Sequence, residues 1–191
     1  MNSVTFAVLT LGLTIDCGNF GSMNLRTEEN ISLNIKEFRA VDYNKTVVHI
    51  DDDQAILKIV RRKLETHGLP VVSVPSSLNA LSEIMHQGAR VVLLDIDMPG
   101  KDGLTLLHEI KRYDAGIQVI MCTGMVSIGT VLQASSLGAE ACIFKPIYDL
   151  NEITTAVDRA FERIDRWWIA LQDWMDRRDA FHAIEHKVFS S

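Results

Sequence analysis

From Thr46 onward, short apolar runs alternate with segments whose apolar residues recur every three or four positions. The runs VVHI, PVVSV, VVLL, IQVIMC and ACIF are short and rich in β-branched residues, as buried strands are. Between them the spacing predicts helices over 54–67, 77–87, 104–113 and 128–137, with a long last helix after Pro146. Gly68, Gly88, Gly116 and Gly138 each follow a predicted helix end, where a left-handed residue stops the turn at little cost. Such alternation implies an α/β fold, a doubly wound parallel sheet with right-handed crossovers.

The polarity of the chain changes most sharply at the ends of these strands. VVLL stops at Asp95, and Met98, Pro99 and Gly100 break the strand before Lys101, Asp102 and Gly103 lead into the next helix. VVHI ends in Asp51, Asp52 and Asp53, QVIMC in Thr123, and ACIF in Lys145 followed by Pro146. Each has an ordinary explanation. Asp95 caps a turn, Asp53 caps the helix beginning at Gln54, Thr123 precedes Gly124 in a turn, and Lys145 is solvated. If the strands are parallel neighbours, however, three carboxylates, a hydroxyl and an amine gather at the carboxyl-end rim, where open α/β sheets bind ligands.

This set resembles the receiver domain of two-component response regulators over about residues 46–163. The resemblance implies a five-stranded flavodoxin-like sheet of order 2-1-3-4-5, with Asp95 as phosphoacceptor, Thr123 as the hydroxyl and Lys145 as the lysine. It further implies Mg2+ as cofactor, with Asp52 and Asp95 as direct ligands, Asp51 acting mainly through water, and the Asp97 main-chain carbonyl completing the protein's share. Its phosphoryl source would be a sensor histidine kinase or a histidine phosphotransfer protein, and its output a downstream protein. Two positions depart from the family's habit. Cys142 stands where an aromatic is common, with Phe144 on the same side of the strand and Ile143 and Lys145 on the other. The Asp97 side chain adds a carboxylate two residues after the phosphoacceptor. DIDMP also resembles the nucleophile motif of haloacid-dehalogenase-type phosphatases, but in that family the second acidic pair follows the lysine, whereas Asp51 and Asp52 precede the nucleophile. A constitutive dimeric adaptor is the third reading.

Composition narrows the choice. The chain has 191 residues, 47% hydrophobic and 23% charged, with a net charge of -6, which suits a soluble domain with an appendage and not a nucleic-acid-binding body. Cys17, Cys122 and Cys142 follow no metal-ligand spacing and suit a reduced, cytoplasmic setting. The apolar segment 4–15 is too short to span a membrane and lacks a basic start; Asp16 argues against lipid attachment at Cys17. Met23 offers a second start, so 1–22 reads as an over-extended frame. In 27–41, Ile31, Ile35, Phe38 and Val41 follow helical spacing and suggest a docking helix. The expected division is an N-terminal extension over 1–45, either partly disordered or a docking helix, a receiver over 46–163 and a helical extension over 164–191.

In the last helix Leu150, Ile153, Val157, Ala160, Ile164, Trp167, Leu171 and Trp174 alternate in steps of three and four, a coiled-coil seam interrupted by Arg178 and Glu185. Its first half is expected to pack on the sheet. Trp167, Trp168 and Trp174 beyond it call for a cover, either the N-terminal segment or a partner, with a homodimer among the options. Mixed charges and the lack of a helix-turn-helix pattern argue against DNA contact.

Overall fold

A computed structural model of the chain describes the backbone of residues 6–8, 13–15, 43–124 and 127–189, with side chains over 43–124 and 127–178. Met1–Val41 and Asp42–Ser191 form separate compact units. In the first, strands Phe6–Val8 and Leu13–Ile15 pair antiparallel. The helix expected over 27–41 lies outside the described residues.

The second unit runs β1 (Val47–Ile50), α1 (Gln54–Thr66), β2 (Val71–Val74), α2 (Ala80–Gln87), β3 (Val91–Asp95), α3 (Gly103–Tyr113), β4 (Gln118–Thr123), α4 (Ile128–Ser136), β5 (Ala141–Phe144) and α5 (Asn151–Phe189). The strands form one sheet in the order β2-β1-β3-β4-β5, all parallel. This is the expected doubly wound arrangement. Both faces are covered, which is why the central strands read as unbroken apolar runs.

Alternation divides the strand residues between two cores. Val48, Ile50, Val92, Leu94, Val119 and Met121 pack with residues of α2, α3 and α4. Val47, Val91, Leu93, Ile120, Cys122 and Ile143 pack with α1 and the first half of α5. On α5 the buried residues are Ile153, Val157, Ala160, Phe161 and Ile164, whereas Trp167 is 71% and Trp174 58% exposed. Tyr43 fastens the start of this unit to α5. Its ring stacks on Phe161 and its hydroxyl donates to Asp165 Oδ1 at 2.6 Å.

Two local expectations are corrected. The second helix begins at Ala80 and not Ser77, because the Ser77 hydroxyl is used elsewhere: it accepts the Lys101 N–H at 3.3 Å and donates to the Pro99 carbonyl at 3.5 Å, joining this loop to the one after β3. Gly68, Gly88 and Gly138 do adopt positive φ, but Gly116 does not. The helix before it closes instead on Asp114, whose carboxylate accepts the Gly116 N–H at 2.7 Å and pairs with Arg90.

Candidate functional site

The chemistry collects where β1, β3, β4 and β5 end. Asp51 follows β1 on the side of the sheet that carries Val47, and Asp95 closes β3 on the side that carries Val91 and Leu93, so both carboxylates belong to the α1–α5 face. Lys145 follows Ile143 of β5 by the same rule. Its Nζ lies 2.7 Å from Asp51 Oδ2 and 3.1 Å from Asp95 Oδ1. One ammonium thus bridges two carboxylates that are almost wholly withdrawn from water, Asp51 being 0% and Asp95 4% exposed.

Main-chain N–H groups donate to the same two carboxylates. Asp51 Oδ1 accepts the Asp53 N–H at 2.9 Å, and Asp95 Oδ1 accepts the Ile96 N–H at 2.9 Å. Asp53 turns away, its carboxylate accepting the Ala55 and Ile56 N–H groups as the N-cap of α1. Burial raises the Asp95 pKa, opposed by the hydrogen bond and charge of Lys145 and reinforced by the charge of Asp51. For Lys145 burial acts downward, but hydrogen bonds to Asp51 and Asp95 together with their charges prevail and raise its pKa.

Asp52 is exposed at the mouth. Asp51, Asp52 and Asp95 each place one carboxylate oxygen so that the three oxygens lie within 4.8 Å of one another. A set of oxygens with no sulfur or imidazole suits a hard divalent cation such as Mg2+, and one exposed member leaves a side open for retained waters.

Thr123 is buried at the end of β4, and its hydroxyl donates to Asp97 Oδ2 at 3.4 Å. Asp97 itself is exposed and directs this carboxylate oxygen toward Thr123. Cys122 pairs in register with Asp95; burial pushes its thiol up to about 12, which fits an inert core residue. Cys142 packs against the α2–α4 core while Ile143 belongs to the other, so the expected sidedness of β5 holds. Phe144, on the Cys142 side, is 43% exposed.

Two residues that support the site have only a faint mark in the sequence. Gly103 opens α3 directly against the end of β3: a Cβ there would stand 2.2 Å from the Asp95 carbonyl oxygen and 2.7 Å from Ile96 Cα. His49 is the polar interruption in VVHI, 1% exposed, with Nε2 3.9 Å from Asp51 Oδ2. Burial is the main cause that lowers its pKa to about 4; the Asp51 charge opposes this and the Lys145 charge adds to it. Because the folded value lies below the unfolded one of about 6.5, the neutral ring contributes stability that is full above pH 6.5 and is lost as pH falls toward 4, by roughly 3 kcal/mol. Urea unfolding of wild type and His49→Leu across that window measures this contribution. The wild-type loss is expected to shrink in the variant, and parallel profiles would contradict it.

The sequence model of the family described as "Response regulator receiver domain" matches residues 47–158. The chain belongs to that family. Among curated relatives, this receiver is 35% identical over 118 residues to the C4-dicarboxylate transport transcriptional regulatory protein DctD of Rhizobium meliloti, covering 62% of this chain and 25% of that protein. It is 28% identical over 116 residues to sporulation initiation phosphotransferase F of Bacillus subtilis, covering 61% of this chain and 93% of that protein. A solved CheY-like receiver domain protein from Methanospirillum hungatei superposes with a TM-score of 0.61 at 26% identity, covering 64% of this chain and 97% of the other. NtrX from Brucella abortus, solved with ATP, gives a TM-score of 0.60 at 30% identity, covering 64% of this chain and 28% of the other. The receiver therefore spans about a quarter of DctD but nearly all of the sporulation protein. Among the described residues no helix is long and apolar enough to cross a membrane.

Proposed function

We propose that this receiver accepts a phosphoryl group on Asp95 from a histidine kinase or a histidine phosphotransfer protein, with Mg2+ as cofactor. The observation that carries the reading is the Lys145 ammonium held between Asp51 and Asp95 beside the exposed Asp52. An Asp95 carboxylate oxygen attacks phosphorus as the bond from phosphorus to the donor nitrogen breaks, leaving an aspartyl phosphate. Asp52, Asp95 and the Asp97 main-chain carbonyl would hold the cation, with Asp51 acting mainly through water. When bound, Mg2+ supplies positive charge for the phosphoryl oxygens.

Lys145 keeps the Asp95 carboxylate in place before transfer and offers its fixed charge to a phosphoryl oxygen afterwards. Thr123 exchanges its Asp97 acceptor for the phosphoryl group, and that exchange moves the loop that follows. Asp97→Asn removes an exposed negative charge worth on the order of 1 kcal/mol at a few ångströms in water. The variant is expected to be phosphorylated a few-fold faster and to show an altered phosphoryl-group lifetime; identical rates would dismiss Asp97 from the chemistry.

The rival phosphatase reading predicts many turnovers of a phosphate ester without a stable phosphoprotein. The receiver reading predicts one phosphoryl group per chain and no such turnover, so phosphate release measured against labelled protein separates them. On this reading the chain's own chemistry is phosphoryl transfer to Asp95 and the later hydrolysis of the aspartyl phosphate, with water as acceptor and inorganic phosphate as product.

Output is proposed to run through protein contacts in the cytoplasm, with 46–163 as receiver, 164–191 as helical extension and 1–45 as an added segment. The net charge of -6 supports a protein target over DNA, although one relative carries the name DNA-binding transcriptional regulator NtrC. The exposed Trp167, Leu171 and Trp174 on α5 support a homodimer or a docked partner protein. Trp167→Ser with Trp174→Ser is expected to remove any dimer seen by sedimentation; an unchanged sedimentation coefficient would take this face out of self-association.

A further inference from the structure

Two buried side-chain atoms among the described residues lack a hydrogen-bond partner, His49 Nδ1 and Ser73 Oγ. They come from one rung of the sheet, since His49 of β1 is in parallel register with Ser73 of β2. Residues at one rung project from the same face. Here that face is the one covered by α1 and α5, because Val47 beside His49 and Leu93 across from it both pack in that core. A buried polar atom left unpaired is costly, and native structures pair nearly all of them with protein or enclosed water. One enclosed group within reach of both would satisfy the pair. On the other side of the imidazole, Nε2 faces Asp51 Oδ2 at 3.9 Å.

We propose that Ser73, one enclosed water and His49 form a polar column beneath the acidic rim that fixes the Asp51 carboxylate, so that His49 and Ser73 are positioning residues for the cation site. The inference rests on the phosphoacceptor reading above. The Ser73 hydroxyl and the water supply the hydrogen that Nδ1 accepts, which leaves the ring proton on Nε2, directed at Asp51. A neutral imidazole so oriented presents the positive end of its dipole to the carboxylate. It orients Asp51 without bringing a full charge that competes with a divalent cation, which the Lys145 ammonium does bring. Groups that orient a ligating side chain typically change metal affinity about tenfold to a hundredfold when removed.

The test is calorimetric titration of the full chain with Mg2+, in wild type, His49→Leu, Ser73→Ala, the double variant and His49→Gln. His49→Leu is expected to weaken Mg2+ binding about tenfold and Ser73→Ala a few-fold, with the double variant no weaker than His49→Leu alone, because Ser73 acts through His49. His49→Gln, which keeps a donor and an acceptor, recovers part of the loss. Nitrogen-15 spectra of labelled histidine add a readout that a purely structural role does not move: Nε2 is expected to carry the proton and Nδ1 to accept. Wild-type affinity in both single variants, additive losses, or a proton on Nδ1 overturns the column. Absence of Mg2+ binding by wild type would instead overturn the phosphoacceptor reading and the column with it. Should His49→Leu fail to fold, Ser73→Ala and the spectra decide.

Discussion

Lys145→Met is expected to destabilise the fold by about 3 kcal/mol and to make the remaining stability strongly dependent on Mg2+. Removing one partner from a buried ionic cluster leaves uncompensated charge, which costs roughly 3–5 kcal/mol; the lower end applies because the Lys145 side chain keeps 16% of its exposure. The variant leaves Asp51 and Asp95 facing each other with Asp52 close by and no ammonium between them. The Asp95 pKa, already raised by burial, loses the hydrogen bond and charge that hold it down and rises further. A carboxyl raised in the folded state contributes stability that is full below its unfolded pKa and is lost as pH rises through the folded one. The stability gap to wild type is therefore smaller at mildly acidic pH than at pH 7, the His49 dependence being common to both proteins, and a bound cation, which favours the folded state by mass action, restores more stability to the variant than to wild type. Urea unfolding with and without Mg2+ at two pH values measures both effects. A variant with wild-type stability and a wild-type response to Mg2+ would show that Lys145 does not neutralise this cluster.

Gly103→Ala is the second large effect, and it arises from shape, not charge. The added methyl would meet backbone, the Asp95 carbonyl oxygen at 2.2 Å and Ile96 Cα at 2.7 Å, so no side chain can swing aside to admit it. Either the start of α3 retreats, breaking the hydrogen bond from the Gly103 N–H to the Ile96 carbonyl at 2.9 Å, or the end of β3 shifts. Overpacking of this kind costs about 1–3 kcal/mol, and the upper end is expected where both partners are main chain. Since the displaced main chain is that of Asp95, the proposed phosphoacceptor, and of Ile96 beside it, the phosphorylation rate is expected to fall by up to about a hundredfold, as small misplacements of a reacting group do. Equilibrium unfolding and the rate of phosphorylation by a small acyl-phosphate donor report the two consequences separately. Wild-type values in both would mean that the loop after Asp95 yields without moving the carboxylate.

These two residues show where sequence reading succeeds and where it stops. Lys145 was legible because a charged residue abruptly ends an apolar strand, and period-two alternation then places it on the same face as Asp51 and Asp95. The same alternation located Cys142 and Phe144 on the side opposite Ile143. Asp53 was legible as a cap because capping is local. Gly103 read only as turn punctuation, since its need for a bare Cα comes from a strand end eight residues away in sequence and in contact only after folding. Ser77 read as a helix start for a similar reason: its preference for capping was overridden by the Lys101 N–H and the Pro99 carbonyl. His49 sat in plain view inside VVHI, yet an apolar run tolerates one polar residue, and only the register with Ser73 and the approach to Asp51 give it a place in the site. Phe161 escaped the three-and-four pattern of α5 because the stripe facing a curved sheet is wider than a coiled-coil seam.

On the proposed function the rim makes Asp95 a phosphoacceptor. The most direct test is the intact mass of the full chain after incubation with Mg2+ and a small acyl-phosphate donor, recorded with its sedimentation and with Asp95→Ala alongside. A gain of one phosphoryl group is expected that requires Mg2+ and is absent from the variant. A folded wild-type protein that gains no phosphoryl group, or an Asp95→Ala protein that gains one equally well, would contradict it.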